Sequence, residues 1–337
     1  MELQEIIQRF PGISCACLDA AGRVATECYG LADRERGIPV DANTVFPAAS
    51  ISKFVTAICL MKLQEQGQIN IDAPVNQHLR IWTLRTPDGG ESSATIRQVL
   101  CHTAGIVDGE DGFYGLRRTD AEIPLMDILE GRTVYNNRPV HEEKAPGTAF
   151  EYTDAGYCVL QLLVEDVTGQ PFEDAAQALV FGPLGLESTF FASCKNVEAF
   201  EHSHILATGY DGENHPLPGK YPYQPDLAAS ALWSTPAELL AISRAFLAAY
   251  HGRSAFLQEA SAREIAAPVA NFPWTGLGVF RRGEDTLLSQ GWGENGQCML
   301  KINCRTEVMA VVMTNRNPEV DQAESGVEWL ADALMQR

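Results

Sequence analysis

The chain has 337 residues, 45% of them apolar and 20% charged, with 44 acidic against 25 basic side chains and a formal net charge of −19. That balance excludes a nucleic-acid partner, which needs a basic face. It also disfavours an anionic membrane surface and favours solubility. At ~150 residues per domain the length fits about two domains or one large one, and no run reaches the ~18 apolar residues of a membrane span.

Met1-Glu2-Leu3-Gln4-Glu5-Ile6-Ile7 has neither the basic start nor the apolar stretch of a secretory signal. Residues 2–10 read as a short amphipathic helix ended by Pro11-Gly12. Ile13 to Leu18 and Arg23 to Tyr29 read as a hairpin around Ala20-Ala21-Gly22. After a polar stretch, apolar residues from Ser52 fall at helical spacing on most sides, so a buried helix is expected, capped at Gly67. Residues 70–233 read as helical pieces between long loops, with one clear helix from Tyr157 to Val167 ended at Gly169. Thr235-Pro236 opens a helix to about Tyr250, with Thr235 as N-cap and Pro236 at the first helical position. Strands are expected at Leu277–Arg281, Thr286–Ser289, Gln297–Asn303 and Val308–Thr314, and a last helix from Gln322 to Met335. The expected fold class is therefore α/β (α+β). An antiparallel sheet is flanked by N- and C-terminal helices, with a mostly helical domain inserted. The sheet domain is expected to use residues 1–50 and 235–337, the insertion residues 51–234, and the active site to lie between them.

The nine cysteines are odd in number and form no Cys-x-x-Cys pair. They read as buried reduced thiols in a cytoplasmic protein. Gly291-Trp292-Gly293-Glu294-Asn295-Gly296 matches G-x-G-x-x-G literally. A dinucleotide site needs a helix next, whereas Gln297 to Ile302 reads as a strand. A close approach of backbone to a ligand stays open there. His202-Ser203-His204 lacks a third ligand at metal spacing and reads as a loop pair without metal. No metal and no cofactor is expected.

Ser50-Ile51-Ser52-Lys53 is a Ser-x-x-Lys match at a helix start. A serine is a weak nucleophile until a nearby base takes its proton, and a lysine one turn along reaches it. The helix N-terminus stabilises developing negative charge. An N-cap serine with a solvated lysine fits the same spacing.

In this context the sequence resembles the serine β-lactamase and penicillin-binding-protein superfamily, in its class C-like branch of esterases and D-aminopeptidases. Phe46-Pro47-Ala48-Ala49-Ser50-Ile51-Ser52-Lys53 resembles the nucleophile motif with its lead-in. Val99-Leu100-Cys101-His102-Thr103-Ala104-Gly105-Ile106 resembles the His-Thr-Ser-Gly loop, and Pro146 to Tyr157 the stretch carrying Tyr-x-Asn. Pro183-Leu184-Gly185-Leu186 and Leu232-Trp233-Ser234-Thr235 recur in family order, and Gln290 to Gly296 falls where the family has Lys-Thr-Gly or His-x-Gly.

The resemblance implies a β-lactamase/transpeptidase-like fold and an enzyme. Ser50 would be the acylated nucleophile, and Lys53 and Tyr152 together the proton acceptor and donor. The N–H groups of Ser50 and Gly293 would form the oxyanion hole. His102 is given no chemical role. The relay requires lowered pKa values: a neighbouring cation lowers a tyrosine's, and burial lowers a lysine's. Two departures bear on substrate. Asp154 stands where the family has Asn, and Gln290 where it has Lys or His, with Trp292 after Gly291. The cleft thus loses a cation and gains an anion. Asp154, Gln290, Gly291 and Trp292 are the candidate substrate-binding residues, and Asp154 either meets a substrate ammonium or pairs with Lys53. The expected activity is a cytoplasmic serine hydrolase acting on a small ester, amide or peptide. Transpeptidation is set aside because it takes place outside the membrane. The alternative is a non-catalytic member that binds a ligand or partner with a decayed site. Intact Ser50, Lys53 and Tyr152 favour the enzyme, and altered Asp154 and Gln290 favour the alternative. The expected partner is a small-molecule substrate, with no nucleic acid and no membrane. Oligomeric state leaves no mark in the sequence.

Overall fold

The computed structural model describes residues 2–110, 112–114 and 122–337. The expectation of helical pieces over 70–233 falls outside the described residues at 111 and 115–121. Among the described residues ten strands occur in chain order: β1 Gly12–Leu18, β2 Val24–Asp33, β3 Ile38–Pro39, β4 Phe46–Ala49, β5 Phe190–Phe191, β6 Leu232–Ser234, β7 Phe280–Arg282, β8 Thr286–Gly293, β9 Gly296–Asn303 and β10 Met309–Thr314. Seven of them form one sheet in the order β3-β2-β1-β10-β9-β8-β7. Every neighbouring pair in it is antiparallel. The chain's two ends meet where β1 pairs with β10, Ile13 opposite Thr314 through Leu18 opposite Met309.

Both faces of β1 are buried, so alternation along the strand sorts its side chains between two cores rather than between core and water. Ile13, Cys15 and Cys17 join Met299, Ala310 and Val312 under the terminal helices Leu3–Ile7 and Val327–Met335. Ala16, Leu18, Leu300, Val311 and Met313 face the main core with helices Ser52–Glu65 and Pro236–Tyr250. Lys301 is only 2% exposed and reaches across to Asp332 at 2.5 Å and Glu328 at 3.3 Å, tying β9 to the last helix.

The long helices start and stop as their end residues dictate. Thr153 and Thr235 accept the backbone N–H groups of Gly156 and Glu238, and Gly169 takes a left-handed conformation at φ 69°. Two expectations are corrected. The strand expected from Leu277 begins at Phe280, because Leu277 and Gly278 donate their N–H groups to the Ile265 and Leu100 carbonyls instead of a ladder. The single last helix is broken at Gly326, whose φ of 95° ends Gln322–Ser325 and precedes Val327–Met335. Among the described residues no helix is long and apolar enough to cross a membrane.

Candidate active site

β4, paired with β6 in the small sheet, ends at Ala49 with φ 43°, a left-handed conformation that costs a non-glycine residue about 1 kcal/mol. The chain then turns through Ser50 and Ile51 into helix Ser52–Glu65. No side chain caps this helix. Ser50 is therefore not its N-cap, and Lys53, 2% exposed, is not solvated. Ser52 Oγ donates to the Ala49 carbonyl at 2.6 Å and accepts the Leu232 N–H at 2.9 Å. Thr56 donates to the Ala228 carbonyl at 2.8 Å. The turn bearing Ser50 is thus fixed from the helix side and from segment 228–232.

Lys53 Nζ donates to Ser50 Oγ at 3.2 Å, to Asp154 Oδ1 at 2.6 Å and to the Ala229 carbonyl at 3.0 Å, which occupies its three donors. It also lies 4.8 Å from the centre of the Tyr152 ring. Tyr152 is 41% exposed as a residue and lines the same cleft as Ser50 and Lys53. Burial pulls the Lys53 pKa down, but the Asp154 carboxylate and then Tyr152 more than offset it, and the net direction is up. Burial thus acts on the lysine as expected, but the net lowering that the relay requires is not reached, because the Asp154 carboxylate lies against the ammonium. The Tyr152 phenol is also raised: burial raises it, Lys53 lowers it, and Asp154 raises it again.

His102, at φ 60°, accepts the Thr153 N–H on Nδ1 at 3.2 Å, and its ring lies 4.4 Å from that of Tyr152. Burial and then Lys53 push its pKa well below the usual histidine value, so it stays a neutral brace behind Tyr152. Asp108 completes the start of the helix Asp154–Thr168. It accepts the N–H groups of Asp154 at 2.8 Å and Ala155 at 2.9 Å and the Thr153 hydroxyl at 2.5 Å.

Behind the site, Asp226 is fully buried and accepts the Tyr135 hydroxyl at 2.7 Å. Burial and then the Asp154 charge push its pKa up to about 7. A carboxyl raised in the folded state contributes stability that is fully present below its unfolded value near ~4. That stability is lost as pH rises through about 7. Asp226→Asn keeps an acceptor for Tyr135 and removes the charge. It is expected to raise the melting temperature by several degrees at pH ~8 and by little at pH ~4, read by thermal denaturation at the two pH values.

Two clefts flank Ser50. One, narrow, is lined by Ser50, Lys53, His102, Tyr152, Phe280 and Gln290 among others. The other, larger, is lined by Ser50, Asp154, Tyr114, Trp292, Gly293 and Glu294 among others. Of the eight residues singled out in the sequence, seven thus meet around Ser50. Gly291 does not. A Cβ there would overlap the Ala48 carbonyl and Cys298 Sγ, so the close approach of β8 to β4 requires glycine at this position. Trp292 is 47% exposed and donates from Nε1 to Asn317 Oδ1 at 2.8 Å, which holds the indole at the rim. The strand expected after the glycine pattern is present as β9, and Gly293 pairs with Gly296 across the β8–β9 hairpin. His202 Nδ1 is 2.6 Å from the Glu198 carbonyl oxygen, and among the described residues no group of three or more His, Cys, Asp and Glu could hold a metal ion. Asp108, Asp226, Tyr114, Tyr135 and Glu294 were not anticipated. Asp108 stands two residues beyond the His102–Ile106 stretch, a faint signal, whereas nothing in the sequence marks Asp226.

The beta-lactamase family profile matches residues 2–334. Esterase EstB of Burkholderia gladioli is 32% identical over 192 residues, covering 56% of this chain and 47% of its own length. The chain thus spans about half the length of the curated relatives it matches. Among solved structures, the octameric penicillin-binding protein homologue from Pyrococcus abyssi aligns with TM-score 0.79 at 22% identity, over 98% of this chain and 75% of that one. D-amino acid amidase from Ochrobactrum anthropi SV3 aligns with TM-score 0.78 at 20% identity, over 99% and 97%. These two share the fold, and the family match covers nearly the whole chain. The chain belongs to the beta-lactamase family, within the serine β-lactamase and penicillin-binding-protein superfamily.

Proposed function

We propose that the protein is a serine hydrolase that acts through an acyl-enzyme on small esters, amides or peptides. The observation that carries this reading is a buried lysine ammonium that donates to Ser50 Oγ at 3.2 Å, in a cleft that Tyr152 lines with its ring 4.8 Å from the same ammonium. Lys53 already donates to Oγ and to two further acceptors, so it does not take up the serine proton. Tyr152, in the phenolate form that its raised phenol confines to higher pH, accepts that proton while Oγ bonds to the substrate carbonyl carbon. The oxyanion meets the N–H groups of Ser50 and Gly293. Tyr152 then returns the proton to the leaving group, and water reverses the sequence to free the acid. The site is assigned to the boundary between the sheet domain, residues 1–50 and 235–337, and the inserted residues 51–234.

The cleft walls support a finer reading of the substrate. Among the described residues lining the two clefts, Lys53 is the only lysine or arginine, and Asp154 holds it. Gln290 adds no charge, and Phe113, Tyr114, Tyr135, Tyr223 and Trp292 give the larger cleft an aromatic lining. Neutral or amine-bearing substrates with an apolar acyl group suit it, and carboxylated ones such as penicillins do not. The names of EstB and of the D-amino acid amidase agree with ester and amide chemistry. The test compares kcat/KM for matched neutral, cationic and anionic esters in wild type and in Gln290→Lys. The wild type is expected to favour the first two, and Gln290→Lys to gain about tenfold or more on the anionic ester. Wild-type preference for the anionic ester would overturn the reading.

A further inference from the structure

We propose that Asp154 is a positioning residue that sets the pH range in which Ser50 is activated: it neutralises Lys53 and so withholds from Tyr152 the positive charge on which proton uptake from Ser50 depends. The proposal rests on the acyl-enzyme reading above and concerns how that site is tuned. Its basis is geometric. The Lys53–Asp154 contact is 2.6 Å, shorter than the 3.2 Å from Lys53 to Ser50, and the lysine is 2% exposed with its counterion 22% exposed. An amide at this position would leave the same lysine with its full charge 4.8 Å from the Tyr152 ring.

The surroundings do not relieve Asp154. The backbone donors at the start of its helix are occupied by Asp108, which takes the N–H groups of both Asp154 and Ala155. From the 226–230 segment the buried Asp226 adds a second carboxyl that feels both Asp154 and Lys53. His102 faces Tyr152 from the 102–108 loop as a neutral ring. Tyr157, on the same helix as Asp154, lies 5.3 Å from Lys53 Nζ, and the exposed Tyr114 feels Asp154, Asp108 and Glu294 across the larger cleft. Phe280 and Gln290, from β7 and β8, bring no charge to the Tyr152 side. One cation is thus surrounded by carboxylates, and only Asp154 touches it. Consistent with this, burial, Lys53 and Asp154 together leave the phenol above its ordinary value.

The experiment records kcat/KM against pH for a neutral ester in wild type, Asp154→Asn and Asp154→Ser. In parallel it titrates the ultraviolet absorbance of Tyr152 as tyrosinate, by difference from the Tyr152→Phe counterpart of each protein. Removing the carboxylate is expected to move both the acid limb and the Tyr152 midpoint down by about one unit or more, which is a tenfold or greater gain on the limb. The serine variant covers the case in which the asparagine variant does not fold. An unmoved midpoint with kcat lowered at every pH would overturn the proposal and leave Asp154 as a clamp for Lys53. An unmoved midpoint with KM raised only for an amine-bearing ester would overturn it in favour of substrate contact. Failure of the acyl-enzyme reading appears separately, as absence of label on wild-type Ser50, while the tyrosine titration still decides the role of Asp154.

Discussion

Tyr152→Phe is expected to lower kcat by about a hundredfold or more while leaving KM nearly unchanged. The substitution removes one oxygen, the phenol hydroxyl of the cleft that Ser50 and Lys53 also line. It keeps the ring, which packs 4.4 Å from His102 and stacks 6.0 Å from Phe280, so the melting temperature should scarcely move. A loss in kcat without a loss in binding identifies an interaction made in the transition state rather than with bound substrate. Steady-state kinetics on a neutral ester, with a thermal melt beside it, make the check. Unchanged kcat would mean that a different group takes the serine proton.

Lys53→Met is expected to cost both activity and stability. The buried ammonium is the donor to Ser50 Oγ, and its loss should reduce kcat at least as much as loss of the tyrosine hydroxyl. It also leaves Asp154 without its cation. Breaking a fully buried pair costs about 3–5 kcal/mol. Because Asp154 is 22% exposed, water recovers part of that charge's solvation and a cost of about 2 kcal/mol is expected. Lys53→Met combined with Asp154→Asn should regain stability without regaining activity. Lys53→Met combined with Tyr152→Phe should lose far less activity than the two single losses summed, because the groups act on one proton. Urea unfolding and single-turnover acylation measure the two effects, and strictly additive losses would contradict the coupled arrangement.

The elements with strong local chemistry were legible in the sequence. Thr235-Pro236 starts a helix, Gly169 ends one, and the apolar residues from Phe54 to Leu63 announce a helix buried on most sides. The spacing of Ser50 and Lys53 likewise anticipates their contact, since three residues along a helical turn bring side chains together. What escaped depends on long-range meetings. Lys53 and Asp154 are separated by 101 positions, so the sign of the lysine's shift could not be read from burial alone. Asp226 lies in a loop rich in proline and aromatics, and its importance comes only from the site it is folded behind. At Gly291 the pattern alone does not show that Ala48 of β4 and Cys298 of β9 pack against its Cα, because those partners are far away in the chain.

The most direct measurement of the central claim is the mass and location of a covalent adduct. Incubation with a fluorophosphonate, or with an ester quenched during turnover, followed by intact mass and peptide mapping, should show one acyl or phosphonyl group on Ser50. Ser50→Ala should show none under the same conditions. Label on another residue, or undiminished label in Ser50→Ala, would contradict the assignment of Ser50 as the nucleophile.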